Sequence, residues 1–286
     1  MAKSYKAVNR ITSDFNSREA LVNGNPDLFN HYKFGNSVID SVGGVNGTVT
    51  GTTAFGTVVG EIPSFDFNGS SYITLDDEPF DFERTDAFSV SFWIKVTATG
   101  TYYVLAKQNS GSGQNGWALL YHSTGVNGVL RMELSDAATG GGVHQLGTTA
   151  GTITDNSTWK YYTMTYDGSS NLTGMKLYVD GALQVTGSDN AIANSILLDT
   201  DLVIGASSNG ALDFEGELGD LQIWNRVLTA GEVSLLYNSG AGTYQTVTEN
   251  KPVADGTTPN GSVFIEKDSG RSFTLNYGSW TEANQP

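Results

Sequence analysis

The sequence predicts an all-β protein, a sandwich of two antiparallel sheets with one short helix near residue 230 and a terminal β-hairpin. Three observations carry this prediction. Glycine is abundant, with 35 of 286 residues. Short runs rich in Val, Thr, Tyr and Phe recur at regular spacing, and turn dipeptides such as Asn-Gly and Asp-Gly end several of them. Strand runs at such spacing without intervening helices are typical of sandwiches and barrels.

The clearest strand covers residues 88–95, after an earlier hairpin around Asn68-Gly69 that leads into residues 72–75. Its residues alternate between two faces, as the two-residue period of a β-strand requires. One face carries Phe88, Val90, Phe92 and Ile94, and the other carries Ser89, Ser91, Trp93 and Lys95. The apolar face is the side that we expect to form the core.

Further strands follow in order along the chain. They are predicted at residues 102–105, 117–121, 129–134, 159–166, 175–179, 183–185, 202–204 and 219–224. Asp180-Gly181 suits a type I′ turn, in which both central residues have positive φ. Residues 175–186 are therefore predicted to form a hairpin.

One helix is predicted to begin at Thr229. Thr229 and Glu232 have the spacing of a capping box, in which the two side chains satisfy the free N–H groups of the first turn. Leu228 and Val233 are placed for a hydrophobic staple. The helix should have about two turns and end near residues 238–240.

The composition divides the chain into four parts. Residues 1–27 form a polar N-terminal arm, which is either a ragged extension or an anchor to a larger assembly. Residues 28–240 form the main domain, and residues 241–261, rich in Gly, Thr and Pro, form a linker. Residues 262–286 form the terminal hairpin, which is too small to be stable alone and should pack on the main domain, on a partner or on copies of itself.

The charge and the cysteine count exclude several functions. The formal net charge is −15, which opposes binding to nucleic acids and to anionic membrane surfaces. Cysteine is absent, which excludes disulfides, thiolate zinc sites and a cysteine nucleophile. The N-terminus shows no apolar stretch of a signal peptide. We therefore expect synthesis in a cytoplasm and, if the protein leaves, a route without a cleaved signal.

Six segments in order resemble the laminin G-like, concanavalin A-like jelly-roll family. They are residues 40–48 (DSVGGVNGT), 64–75 (SFDFNGSSYITL), 88–95 (FSVSFWIK), 159–168 (WKYYTMTYDG), 176–181 (KLYVDG) and 214–228 (FEGELGDLQIWNRVL), the last followed by Glu232 and Leu236-Tyr237. The resemblance spans about 205 residues. It implies two packed antiparallel sheets of about six strands each, with a concave face open to ligands, and it leaves the function open because the fold serves several.

Carbohydrate binding needs aromatic faces surrounded by hydrogen-bonding groups. The candidate residues are Trp93, Tyr103, Trp117, Tyr121 and His122. Trp93 lies on the Ser89 and Ser91 side of its strand and is expected to be half-buried. The alternative for each aromatic residue is a place in the core or in sheet packing, and for His122 an ordinary hydrogen-bonded position.

A structural Ca²⁺ ion is a second candidate feature, because relatives often bind one through an aspartate of the early loop and a later aspartate. The early position matches Asp40. At the later one Gly219 stands where the aspartate is expected, and Asp220 follows it. The candidate ligands are therefore Asp40 and Asp220. The alternative is that Asp40 caps a turn through its side chain.

Some relatives are glycoside hydrolases, which need two carboxylates on one strand. The nearest pattern here is Glu78-Pro-Phe-Asp81-Phe-Glu83, whose spacing differs from the family motif. Pro79 is also a poor member of a central strand. We therefore predict a protein that is not an enzyme.

The last segment, residues 259–280, resembles short hairpins of bacteriophage virion proteins. This resemblance implies a virion structural protein, such as a head decoration, fibre or tail-associated adhesin. It would be made in the host cytoplasm and contact other virion proteins through residues 1–27 and the terminal hairpin. It would bind surface glycans, and a homo-oligomer is compatible with this role. The alternative is a carbohydrate-binding module of an exported bacterial protein, located outside the cell or on its surface.

Overall fold

The computed structural model describes residues 21–22, 24–57, 62–111, 114–123, 127–148, 153–154, 158–186, 191–237, 263–265, 272–276 and 279–282. The chain divides into two units, Met1–Tyr244 and Gln245–Pro286. The predicted linker and residues 1–20 of the predicted arm lie outside the described residues. Within the described part, no helix is long and apolar enough to cross a membrane.

The first unit consists mainly of short strands. They are β1 (Leu28–Tyr32), β2 (Thr48–Thr50), β3 (Phe55–Thr57), β4 (Pro63–Asn68), β5 (Tyr72–Leu75), β6 (Ala87–Val96), β7 (Thr101–Lys107), β8 (Asn115–Ser123), β9 (Asn127–Asp136), β10 (Val143–Gly147), β11 (Ile153–Thr154), β12 (Lys160–Asp167), β13 (Met175–Val179), β14 (Ala182–Thr186), β15 (Leu202–Ile204) and β16 (Glu215–Trp224). One helix, α1 (Ala230–Tyr237), follows β16.

These strands form two antiparallel sheets, which confirms the predicted sandwich. Sheet I has the order β14-β13-β12-β6-β16-β4-β3, and β1 also pairs with β16. Sheet II has the order β10-β9-β8-β7-β15-β5-β2, and β11 also pairs with β9. Each sheet therefore has eight strands among the described residues, against the six expected, because strands of two or three residues such as β2, β3 and β11 extend the edges.

The main core lies between the sheets, and the alternation along β6 is confirmed. Phe88, Val90, Phe92 and Ile94 all belong to one large buried cluster with side chains from both sheets. Phe88 contacts Trp117 of the opposite sheet, with ring centroids 5.3 Å apart. Apolar burial of this kind supplies about 25 cal/mol for each Å² removed from water, which makes this cluster the main stabilising element.

The outer face of sheet I carries a second apolar cluster, which α1 covers. Val233 and Leu236 of the helix are fully buried there against residues of β6, β12 and β16. The predicted capping box is confirmed, since Thr229 N donates to Glu232 Oε2 (2.8 Å) and Glu232 N donates to Thr229 Oγ1 (3.3 Å). Leu21 belongs to the same cluster, so a residue that precedes β1 also packs on the outer face of sheet I.

The hairpin of β13 and β14 is also confirmed. Asp180 and Gly181 have φ of +50° and +77°, as the type I′ turn requires. The Asp180 carboxylate also accepts a hydrogen bond from the backbone of Tyr161 (3.0 Å) and pairs with Lys160 (2.7 Å). The turn is thereby tied to β12.

The second unit contains a small antiparallel sheet of three strands, β17 (Val263–Ile265), β18 (Ser272–Asn276) and β19 (Ser279–Glu282). The first two strands form the predicted hairpin. The third adds Trp280 to the sheet, where its backbone pairs with Leu275.

Candidate functional site

The five residues predicted to bind carbohydrate lie in two different sheets. Trp93 belongs to β6 of sheet I, whereas Tyr103 lies on β7 and Trp117, Tyr121 and His122 lie on β8 of sheet II. The structure therefore does not bring these five side chains to one surface.

Trp93 is buried rather than half-buried, with 3% of its surface exposed. Its ring packs between sheet I and α1. The ring centroid lies 5.2 Å from that of Tyr161 and 5.9 Å from that of Tyr237. The position expected to be half-buried is covered because α1 lies over this face. Trp93 therefore offers no surface to a glycan.

Trp117 and Tyr121 point inward, between the sheets, and at most 1% of either residue is exposed. The indole N–H of Trp117 donates to the carbonyl oxygen of Phe80 (3.2 Å), so its one polar group is satisfied internally. The ring of Tyr121 stacks on that of Tyr102 at 6.2 Å. Both residues are core residues, which was the alternative left open for them, and we remove them from the candidate site.

Tyr103 and His122 remain, and both face outward from sheet II. Tyr103 belongs to a small cluster with Ala106, Ala118 and Leu120, all from β7 and β8. His122 is half-buried, and its Nδ1 is 2.7 Å from Thr101 Oγ1 on the neighbouring strand. In the described part of the chain this cluster has these four members, and all four are buried, with at most 8% of any of them exposed.

Strand pairing arranges the outer face of sheet II in rows, because directly opposed residues of adjacent strands point to the same side. One row runs Arg131, Leu120, Tyr103 and Asp213. Asp213 pairs with Tyr103 through an isolated bridge, and its neighbour Phe214 is buried in the core, so the Asp213 side chain points outward.

The next row contains the smallest residues of this face. It runs Gln145, Glu133, Ala118, Ala106 and Val203 across five strands. Gln145 Nε2 donates to Glu133 Oε2 (2.8 Å), which fixes the carboxylate against the edge strand. The two alanines therefore lie between the larger side chains of Glu133 on one side and Tyr103 in the adjoining row. We call the residues of the two rows the β7–β9 face.

The electrostatics keep Tyr103 protonated. Burial, and then the negative charge of Glu133, raise the pKa of Tyr103 to about 12. Its hydroxyl is therefore a neutral donor and acceptor at any physiological pH. Burial also raises the pKa of Asp213 above its usual range. The face thus combines a phenol, two carboxylates, an amide and, at Arg131, a guanidinium.

Sequence reasoning missed Arg131, Glu133, Gln145 and Asp213. A signal was present for two of them, since residues 129–134 alternate and put Arg131 and Glu133 opposite Leu130, Met132 and Leu134. No local pattern identified Asp213, whose place beside Tyr103 depends on a pairing between residues 110 positions apart.

The candidate calcium residue Asp40 is occupied by hydrogen bonds. Its Oδ1 accepts from the backbone N–H groups of His31 (2.8 Å) and Val42 (3.0 Å). Its Oδ2 accepts from Asn30 Nδ2 (2.6 Å) and the N–H of Val45 (3.2 Å). N–H groups directed at both oxygens organise the loop, which was the alternative considered, and leave no lone pairs suited to a cation.

Asp220 bonds to the ring of His31, whose backbone N–H bonds to Asp40. Its Oδ1 is 2.6 Å from His31 Nε2, and both side chains are buried. Among the described residues, no group of three or more His, Asp or Glu side chains could hold a metal ion. Ca²⁺ prefers six to eight oxygen ligands, so the residues at Asp40 and Asp220 do not fit this ion.

The nearest glycosidase-like pattern is also structural. Glu83 accepts hydrogen bonds from Ser195 Oγ (2.6 Å) and the N–H of Ile196 (3.1 Å). Asp81 pairs with the buried Lys107 at 2.7 Å, and Lys107 also pairs with Asp77. These carboxylates fasten the loop between β5 and β6 to sheet II and its loops.

The sequence matches the family model of the concanavalin A-like lectin/glucanases superfamily over residues 67–234, more than half of the chain. The chain therefore belongs to this superfamily, as the six sequence segments predicted. A search of curated proteins found no match.

Solved structures share the fold. Domain 4 of AbnA, an extracellular arabinanase from Geobacillus stearothermophilus, matches with a TM-score of 0.52 and 19% identity, over 73% of this chain and 97% of that domain. Botulinum neurotoxin type C matches with a TM-score of 0.55 and 18% identity, over 79% of this chain and 54% of that one. The binding domain of Paraclostridial Mosquitocidal Protein 1 matches with a TM-score of 0.56 and 17% identity, over 74% of this chain and 52% of that one. The chain thus spans about half the length of the toxin structures.

Proposed function

We propose that this protein is a carbohydrate-binding protein without catalytic activity, that it binds glycans on the β7–β9 face, and that it is a structural component of a virus particle. In the particle it would act as a head decoration, a fibre or a tail-associated adhesin. The observation that carries the binding proposal is the arrangement of the β7–β9 face, where small residues lie among outward-facing polar groups.

The chemistry of this face suits sugar hydroxyls, which both donate and accept hydrogen bonds. Glu133 supplies a hydrogen-bond acceptor. The amide of Gln145 and the neutral hydroxyl of Tyr103 each supply a donor and an acceptor. Ala106 and Ala118 are fully buried beneath this face, so the larger side chains around them are the groups that would contact a ligand. Binding sites commonly orient a ligand through a few fixed polar groups of this kind.

The positions of the carboxylates favour binding over hydrolysis. Glu133 and Asp213 are separated by three strand spacings, or roughly 14 Å between their backbones at about 4.8 Å per strand. Retaining glycosidases need carboxyl groups about 5–5.5 Å apart, and inverting enzymes need about 6.5–9.5 Å. A pair on this face is therefore too far apart to share one glycosidic bond.

Two features support the virion role. The terminal strands belong to a unit of their own, Gln245–Pro286, which could dock onto another virion protein. Their sequence resembles hairpins of phage virion proteins. In this proposal the protein is made in the host cytoplasm and released by lysis, and the N-terminal arm and terminal hairpin contact other virion proteins.

One observation favours the alternative of a binding module in an exported bacterial protein. The fold covers 97% of domain 4 of the arabinanase, a module of a larger extracellular enzyme, solved in complex with arabinotriose. In both proposals the main domain binds a glycan, and they differ in what the module is attached to.

A glycan array probed with the full chain, once with CaCl₂ and once with EDTA, tests the binding proposal. We expect a defined set of glycans to bind equally in both conditions. An array without any bound glycan would contradict it. Mass spectrometry of purified particles from the source tests the virion role, which would be contradicted if the chain is absent from them.

A further inference from the structure

The β7–β9 face ends at an aspartate whose setting differs from that of three other carboxylates of the main domain. Asp40, Asp136 and Glu83 each accept several hydrogen bonds from N–H or O–H groups. In contrast, Asp213 Oδ1 is shielded from solvent and has no hydrogen-bond partner among the groups that the structure describes. A buried carboxylate oxygen without a partner is costly, so its presence calls for an explanation.

The backbone beside Asp213 is also held in an unusual conformation. Leu212 has φ of +55°, in the left-handed region that a leucine rarely adopts, and its side chain is 48% exposed. Its carbonyl oxygen accepts the N–H of Tyr103 (3.1 Å). This hydrogen bond fixes Asp213 at the end of the row that contains Tyr103.

The side chain can reach a ligand without a backbone change. Asp213 as a residue is half-buried, so its carboxylate lies at the boundary between protein and solvent. Oδ1 is the shielded oxygen of the pair, and because the terminal torsion of an aspartate is soft, either oxygen can take the outward position. The carboxylate would then accept hydrogen bonds from ligand groups placed beside it at the surface.

We propose that Asp213 is a ligand-binding residue of the β7–β9 face and that its carboxylate accepts hydrogen bonds from the hydroxyl groups of a neutral carbohydrate. This inference rests on the proposed function. It adds two things to that function: the residue that fixes the ligand's orientation, and the charge of the ligand, which is neutral.

The charge of the face determines the charge class of the ligand. Arg131 and Glu133 lie two positions apart on one side of β9, so their opposite charges offset each other. Asp213 adds an uncompensated negative charge at the other end of the row. The whole chain carries −15, which strengthens the repulsion of anions. A glycan with a carboxylate or sulfate group is therefore disfavoured, whereas hydroxyl groups donate directly to Asp213.

The test compares Asp213→Asn with wild type and with Asp199→Asn, a change at an exposed aspartate of another loop. Full-length proteins are titrated with the neutral glycans that bind best on the array and with lactose and 3′-sialyllactose as a neutral and acidic pair. We expect wild type to prefer neutral ligands. Asp213→Asn should bind them at least about tenfold more weakly, the loss expected when a hydrogen bond to a charged group is removed. Asp199→Asn should bind as wild type does.

Thermal unfolding separates a ligand-binding role from a structural one. A carboxylate that holds the fold would lower the melting temperature when replaced, as Asp136 should. For Asp213→Asn we expect an unchanged or higher melting temperature, because a neutral amide replaces a buried charge. A lower melting temperature with weaker binding would overturn the proposal.

The remaining outcomes separate this inference from the proposed function. If wild type binds a neutral glycan and Asp213→Asn binds it equally, Asp213 is not a ligand-binding residue, while the proposed function stands. If wild type prefers sialylated glycans, the charge class is wrong. If wild type binds no glycan, both proposals fail together.

Discussion

The outer faces of the two sheets are built in opposite ways. Sheet I carries Trp93, Tyr161, Tyr178 and Trp224 on its outer side, and α1 buries them in a cluster of ten residues. Sheet II carries one tyrosine in a cluster of four, beside Glu133, Gln145 and Asp213. The larger cluster, which has more aromatic residues, is the one that α1 covers.

If glycans bind to the β7–β9 face as proposed, the number of aromatic residues is a poor guide to the binding face of this fold. Aromatic side chains bury large areas and favour the covered face, where they stabilise the sandwich. In the proposal, the fixed polar groups of the β7–β9 face matter more for binding than aromatic rings do. Substitutions on the two faces should accordingly affect different properties, stability on sheet I and binding on sheet II.

The largest expected effect is that of Trp93→Ala on the covered face. Removing a buried indole leaves a cavity beneath α1, so we expect the free energy of unfolding to fall by about 3–5 kcal/mol. Urea denaturation followed by circular dichroism measures this change. Glycan affinity of the folded fraction should stay within twofold of wild type, and a selective loss of affinity would put binding on sheet I instead.

Asp136→Asn sharpens the comparison through pH. Burial raises the pKa of Asp136, but N–H groups of Asn194 and Gly142 together with His144 outweigh it and hold the pKa below its usual range. Its stabilisation is therefore present above the ordinary pKa of about 3.9 and is lost as the pH falls through the folded-state value.

At pH 7 we expect Asp136→Asn to lose about 2–3 kcal/mol of stability, because a buried carboxylate with several donors is replaced. The difference from wild type should shrink as the pH falls below the ordinary pKa of an aspartate, through the lower folded-state value. Urea denaturation at a series of pH values checks this, and a difference independent of pH would contradict the assignment. Trp93→Ala serves as the control, since apolar packing does not titrate.

A smaller effect distinguishes two tyrosines that are each 5% exposed, Tyr103 on sheet II and Tyr178 on sheet I. Tyr103→Phe should weaken glycan binding by about tenfold because one hydrogen bond is lost, while Tyr178→Phe should leave it unchanged. Both variants keep the ring and should unfold within about 1 kcal/mol of wild type. Equal glycan affinities of the two variants would contradict the proposal that sheet II binds the glycan and sheet I does not.

The smallest effect concerns calcium. Because N–H groups occupy both oxygens of Asp40, we expect melting temperatures in CaCl₂ and in EDTA to agree within about 1 °C. Differential scanning fluorimetry measures this. A clear rise with Ca²⁺ would show that the predicted ion binds after all, and Asp40→Asn would then test whether Asp40 holds it.

Much of the fold was predictable because short-range sequence patterns determine it. The alternation at residues 88–95, the Asp180-Gly181 turn and the Thr229–Glu232 capping box each act within a few residues. Short strands such as β2 and β3 were missed, since three residues give no measurable period.

The site was less predictable because it depends on contacts between distant segments. Alternation puts Trp117 and Tyr121 on one side of β8, but whether that side is the core depends on which sheet covers it. Likewise, Trp93 shares a polar face with Ser89 and Ser91, yet α1, more than 130 residues later, buries it. Asp213 reaches Tyr103 through a pairing that no sequence pattern announces.

The central claim is that glycans bind to sheet II and not to sheet I. Titrating the deuterated, ¹⁵N-labelled full chain with its best array ligand, and following amide chemical shifts, locates the ligand directly. We predict that the largest shifts fall on β7, β8, β9 and Asp213. Shifts concentrated on β12, β13 and α1 would contradict the account and place the binding site on the covered face.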